Sequence, residues 1–227
     1  MDTARDFRIL IAEDALERIE DIIRHHKLNM SINWGSAQNI VEKLRSCLMR
    51  VKYSYLPLRL LLKMEELRSI QNYSIELSRT ILNKNLIQKF NPDPYMVAIT
   101  RYSLRTLYGL RYRLSLGEDN KPYYAVDIEG VEIVSVHKHP RADRLYITKA
   151  EGIFPYTIIT NIERVRKGEV RAAAILPPAI IRGELSEAMY CSDPIPAEYK
   201  GKRPPDNLVR VSEVNNIVYR IVSKLSK

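Results

Sequence analysis

Two periods of apolar residues divide the chain. From Phe7 to about Leu110, apolar positions recur at three- and four-residue steps, the spacing of one helix face. From about Val126 they come in short runs rich in β-branched residues, broken by Gly and Pro, the pattern of strands. In the first half, Phe7, Leu10, Ile11, Ala15, Ile19, Ile22 and Ile23 predict a first helix. Acidic residues at its start (Asp2, Asp6, Glu13, Asp14) and basic ones at its end (Arg24 to Lys27) complement its dipole. Ser36 is the expected N-cap of a second helix with the stripe Ile40, Val41, Leu44, Cys47, Leu48 and Val51. Pro57 suits the first turn of a third, running through Leu60, Leu61, Met64, Leu67, Ile70, Ile75 and Leu77 to Leu82. Asn91-Pro92-Asp93-Pro94 breaks the chain before a fourth, with Val97, Ile99, Leu104, Leu107, Tyr108 and Leu110. Four such helices predict an antiparallel bundle or two helical hairpins.

Gly117 to Pro122 has linker composition. Beyond it, Val126–Val136, Leu145–Ala150, Tyr156–Ile162, Val170–Leu176 and Met189–Ser192 are strand candidates. Five short strands with no long helix between them predict a small barrel of the oligonucleotide-binding (OB) type. A Pro-rich connector, Asp193 to Pro205, holds Lys200-Gly201-Lys202-Arg203 and reads as basic and mobile. Ser212-Glu213 then opens a last amphipathic helix with Val214, Ile217, Val218, Ile221, Val222 and Leu225. The expected fold is α+β: a helical bundle over 1–120, then a five-stranded OB barrel with the connector and C-terminal helix over 121–227.

The 227 residues carry a net charge of +9, which favours an anionic partner such as nucleic acid. The basic excess is spread over both halves, so neither is a basic tail. Cys47 and Cys191 stand far apart, with no Cys-x-x-Cys and no metal-ligand spacing among the four His. No cofactor or metal is expected, and a reducing cytoplasmic setting fits. The N-terminus lacks a signal-type apolar core, and no run approaches a membrane span, so no membrane partner is expected. A Gly-rich phosphate loop, a nucleophile elbow and His-Glu-x-x-His are all absent from the sequence, so catalysis is not expected. The fourth helix interleaves Arg101, Arg105, Arg111 and Arg113 with Tyr102, Tyr108 and Tyr112. Such a face can meet phosphates and stack on bases, or lie solvated along the bundle edge.

Two stretches stand out in the β-rich half. His139-Pro140-Arg141-Ala142-Asp143-Arg144-Leu145 resembles the His-Pro-Asn-Ala-Asp-Lys/Arg-Leu signature of the structure-associating tRNA-binding domain. That domain occurs in the endothelial monocyte-activating polypeptide and at the end of some methionyl-tRNA synthetases. Some forty residues on, Pro178-Ala179, Arg182-Gly183, Ser186-Glu187, Met189 and Cys191-Ser192 follow the family's second pattern. The resemblance covers roughly 126–195, about a third of the chain, and leaves 1–120 unmatched. It implies an OB barrel, tRNA as ligand, and an accessory role in trans to an aminoacyl-tRNA synthetase. A homo-oligomer is a further expectation. Arg182 and Ser186 stand at the family's loop arginine and serine. Arg forms a bidentate phosphate fork, Ser donates a hydrogen bond, and Gly183 permits close backbone approach. Lys138, His139, Arg141 and Arg144 crowd the loop between the first two strands, which OB folds use to grip nucleic acid. Asp143 is expected to order that loop, and Asn161 to bond a base or ribose. The chain departs from the pattern at Pro177 and Ile180, where the family has lysines, at Glu184 for Val and at Ala188 for Gly. Two positive charges are lost and one negative is gained. An interaction module or an export-type chaperone on the same barrel is the alternative.

Overall fold

The computed structural model describes residues 1–225. The fold is α+β: helices first, then a five-stranded antiparallel sheet, then a C-terminal helix. The chain forms two compact units. One is Met1–Val126 with the residues from Val218 on; the other is Asp127–Ile217.

In the first unit, α1 (Phe7–Arg24), α2 (Trp34–Lys52), α4 (Glu65–Ile81) and α6 (Pro94–Tyr108) make a bundle in which α1 and α4 each pack on both α2 and α6. The stripe of α2 is buried throughout, as its periodicity predicts. Two ion pairs fix how α1 meets α2. Glu13 bonds Lys52 at 2.7 Å, and Glu20 bonds Arg45 one heptad along. The rising numbers on one helix meet falling numbers on the other, so the pair is antiparallel.

Helix ends differ from expectation where a better cap lies nearby. Asn33, not Ser36, caps α2; its side chain accepts from the Ser36 N–H at 2.9 Å. The expected third helix is two, α3 (Leu58–Leu61) and α4, because Met64 is extended and Glu65-Glu66 favour a fresh N-terminus. Leu60 and Ile75 of that stripe are exposed. A further helix, α5 (Lys84–Phe90), precedes α6, which Asp93 caps with Pro94 in the first turn. Gly109 separates α6 from α7 (Leu110–Leu114).

The first unit also buries a charge pair that no amphipathic pattern shows. Asp6 caps α1, and its carboxylate accepts from the Arg8 backbone N–H and from Nε and Nη2 of the Arg8 guanidinium, at 2.7–2.9 Å. Nη1 of Arg8 donates to the carbonyls of Gly117 at 2.7 Å and Leu114 at 3.3 Å. Both side chains are essentially inaccessible. Arg8 thus caps the end of α7 with a cation, where carbonyls lack helical partners. Gly117 to Pro122 accordingly belongs to this unit: Asn120 accepts from the Phe7 N–H and donates to the Arg5 carbonyl. The boundary falls at Val126, six residues past the expected one.

The second unit holds β1 (Ile128–Lys138), β2 (Tyr146–Glu151), β3 (Pro155–Thr160), β4 (Val170–Ile181) and β5 (Glu184–Ile195) in the order β3-β2-β1-β4-β5. β4 and β5 are longer than periodicity suggests. β4 pairs β1 only as far as Ala174 and continues against β5 alone. Pro177-Pro178 lies in that one-sided extension, at an irregularity in register, where missing N–H groups break no ladder with β1. The backbone ladder is open between β3 and β5, although a closed barrel is expected. The two edges still lie together, joined by side chains: the Ile159 N–H donates to Ser186 Oγ at 3.1 Å, and the Thr157 N–H to the Glu187 carboxylate at 3.0 Å.

The connector is docked rather than loose. The Gly201 N–H donates to the Gly130 carbonyl and the Gly130 N–H to the Lys202 carbonyl, both at 2.8 Å. A Cβ at Gly130 would lie 2.2 Å from the Tyr199 carbonyl oxygen, so only Gly fits beneath this segment. α8 (Val211–Leu225) follows, and the division between the units falls within it. Its Val214, Val218 and Ile221 are buried, and Tyr219 packs edge-on against Phe7 within the first unit.

Candidate nucleic-acid interface

The loop 139–145 leaves the sheet at the end of β1 and is closed by one residue. The His139 N–H donates to the Leu145 carbonyl at 2.9 Å. Its ring Nδ1 accepts from the Arg141 N–H at 3.0 Å, which places the ring proton on Nε2. Nε2 then donates to the Ile181 carbonyl at 3.2 Å. Ile181 is the last residue of β4, so the imidazole ties the β1–β2 loop to the β4–β5 turn.

That turn is two residues long. Ile181 pairs Glu184, and Arg182 and Gly183 between them have φ of 53° and 92°. Positive φ at both centres is the mirror-image turn that suits the twist of a hairpin. Asn-Gly is the usual choice, and an arginine there is under strain. The absent side chain of Gly183 leaves room for a guanidinium: a Cβ built there would lie 2.8 Å from Nη1 of Arg141. Arg141 therefore lies over the turn, beside Arg182. Both are exposed, as are Lys138 at the end of β1 and Arg144 in the loop. Asp143 and Glu184 are the acidic residues within these same two segments.

The expected contacts separate into two groups. Lys138, Arg141, Arg144 and Arg182 are solvent-facing cations on one loop and one turn joined by His139. Asn161 is exposed just past β3; Thr160 pairs Tyr146 and Tyr146 pairs Lys138, so Asn161 leaves the sheet at this same end. His139 and Ser186 are different. His139 is only 5 % exposed, with both ring nitrogens engaged inside the protein. Ser186 is 7 % exposed; its hydroxyl accepts from Ile159 and donates to the Ala188 carbonyl. Expected as RNA contacts, both are spent on building the site: His139 orders the loop and Ser186 seals the strand edge. Asp143, expected to order the loop, is exposed and makes no hydrogen bond among the described residues. Sequence reasoning also passed over Arg164, Arg166 and Lys167, exposed in the loop that begins at Asn161. Three cations within four residues were the available signal. Pro177, where the resemblance led one to expect lysine, is half-buried; Ile180, the second such position, is 52 % exposed, beside exposed Ala179.

The Arg/Tyr face on α6 and α7 is thinner than the sequence suggests, since Tyr102 and Arg113 are buried. No cluster of His, Cys, Asp and Glu able to hold a metal occurs among the described residues, and no helix there is long and apolar enough to cross a membrane. Burial pushes the Cys191 thiol up to about 12, which removes it as a nucleophile at neutral pH.

The helices of the first unit place the chain. A family described as alpha helical domain matches residues 1–117. The chain belongs to that alpha helical domain family. The match ends at Gly117, whose carbonyl Arg8 holds, so the family's domain takes in the buried Asp6–Arg8 pair and the whole of α1 to α7. The match does not reach the sheet. No curated protein matches the chain.

Proposed function

We propose that the protein is a non-enzymatic tRNA-binding accessory factor that serves an aminoacyl-tRNA synthetase in trans, with an OB-type barrel as its RNA-binding module. One observation carries the reading: His139 joins the β1–β2 loop to the β4–β5 turn, and the joined segments present Lys138, Arg141, Arg144 and Arg182 to solvent. These are the two loops with which OB folds hold oligonucleotides. The resemblance of 139–145 and 178–192 to the structure-associating tRNA-binding domain supports the choice of tRNA. Arginine forks fit phosphate oxygens, and a rigid loop pays little entropy on binding.

Filter binding of tRNA at two salt concentrations tests this. Four neutralised phosphates give a slope of about −3.6 in log K against log salt, a fall of about 150-fold between about 50 and about 200 mM. Affinity no better than for an unrelated polyanion, or no loss in Arg182→Ala, would reject it. A second reading has its own observation. Ala179 and Ile180 are exposed where the family has positive charge nearby, which suits protein contact. A protein partner recovered after nuclease treatment, and lost in Ile180→Lys, would favour that reading.

A further inference from the structure

We propose that the segment Lys52–Lys63 of the helical unit is a stacking platform for unpaired nucleotides of an RNA strand. It lies outside the sheet unit, and it stands or falls independently of tRNA binding there.

Three exposed large side chains crowd this short segment: Tyr53 at 56 %, Tyr55 at 58 % and Leu60 at 49 %. The turn that carries the tyrosines is built and held. Tyr55 has φ of 51°, a left-handed conformation that costs a bulky residue strain. Thr3, wholly buried, holds it there: its hydroxyl donates to the Lys52 carbonyl at 2.7 Å and accepts from the Tyr55 N–H at 3.0 Å. The strain gains no core packing, because the ring faces water. Lys52 is fixed in turn by both oxygens of Glu13, at 2.8 and 2.7 Å, and its ammonium lies 5.5 Å from the centre of the Tyr53 ring. Two rings two residues apart are thus displayed on a rigid turn.

The segment's own charge favours an anion. From Val51 to Met64 there is no Asp or Glu. Arg59 and Lys63 are exposed, and neither has an ion pair among the described residues. Exposed aromatic rings and unneutralised cations carried on one short segment are the means by which single strands are held without regard to sequence. An anionic bilayer shares the charge, but it needs apolar side chains to insert. Leu56, Leu58, Leu62 and Met64 pack against the bundle core instead, leaving Leu60 alone. The segment therefore fits a nucleotide strand better than a lipid surface.

The test is fluorescence anisotropy of a labelled oligouridylate of about a dozen nucleotides, a length several stacked bases occupy, with the full chain. Tyr53→Ala with Tyr55→Asn, which tolerates the left-handed turn, lowers affinity by about 10- to 100-fold. Arg59→Gln with Lys63→Gln leaves the turn untouched and reduces the salt slope by about 1.4, at about 0.7 per single-strand phosphate. Full-length tRNA binding lost only in Arg182→Ala, with oligouridylate binding lost only in the tyrosine variant, establishes two separate contacts. Oligouridylate binding that depends on the tyrosines, in a chain that fails to bind tRNA, keeps the platform and removes the tRNA reading. Unchanged affinity in the tyrosine variant together with an unchanged slope in the charge variant overturns the platform. So does tyrosine-dependent binding to phosphatidylserine vesicles without binding to oligouridylate.

Discussion

Gly183→Ala probes the junction on which the tRNA reading depends. The substitution acts twice. An alanine at φ of 92° is strained, at a cost of about 1–2 kcal/mol. Its Cβ would also lie 2.8 Å from Nη1 of Arg141, closer than real Cβ contacts, so the guanidinium must shift from its place over the turn. Gly168 separates the two effects. Its φ is 86° and a Cβ there would meet nothing within 4 Å, so Gly168→Ala carries similar strain and displaces no arginine. Urea denaturation should therefore show a comparable loss for both variants, about 1–2 kcal/mol. Filter binding of tRNA should separate them. Gly183→Ala loses about one phosphate contact, seen as a slope shallower by about 0.9 and an affinity lower by about 3- to 10-fold. Gly168→Ala keeps both. In a double-mutant cycle, Arg141→Ala adds little once Gly183→Ala has displaced the guanidinium. Equal RNA binding by the two glycine variants, or full additivity of Gly183→Ala with Arg141→Ala, refutes the argument.

Arg8→Met leaves the buried Asp6 carboxylate without its cation, and should cost about 3–5 kcal/mol by urea denaturation; Asp6→Asn in the same chain should recover part of it, and a loss under about 1 kcal/mol would contradict the buried pair. Gly130→Ala pushes a Cβ to 2.2 Å from the Tyr199 carbonyl, so hydrogen exchange at the Gly201 and Gly130 amides should speed up markedly; unchanged protection would mean the connector is not held there. Burial pushes Tyr190 up to about 12, opposed by its bond to Thr148, and pushes Cys191 up to about 12 as well. Both raised groups hold their protons longer folded than unfolded, so the stability tied to them is intact below about pH 8 and is lost as pH rises toward 12. The urea midpoint should fall between pH 8 and about pH 11, where unfolded Tyr and Cys ionise, and a flat profile would exclude these groups as the cause.

Much of the first unit was legible because burial on a helix follows its period. Ile40, Val41, Leu44, Cys47, Leu48 and Val51 recur at helical spacing, and all are buried. Asp6 and Arg8 defeat the same reasoning. Charge suggests surface, and only the meeting of α1 with the end of α7 supplies the carbonyls that make burial tolerable. The long third helix was expected because apolar spacing carries on through Leu61 and Met64; the break depends on an extended backbone at Met64, which spacing does not encode. In the site, the exposed arginines were read from type and loop position. His139 and Ser186 read as RNA contacts because polar residues in such loops usually face solvent. Their partners, the Ile181 carbonyl and the Ile159 N–H, lie on other strands and cannot be found by spacing.

The sequence by itself determined the α+β class, the order of helices before strands, the cation-rich loop at 138–144 and the Arg-Gly turn. These follow from local periodicity and residue chemistry, which act over a few residues. The tertiary structure alone decided which polar groups face solvent and which hold the fold together. It placed Arg141 over Gly183, sealed β3 to β5 through side chains instead of a ladder, and put Arg8 inside the bundle. Each depends on groups many residues apart meeting at hydrogen-bond distance, and strand pairing and helix packing bring them there.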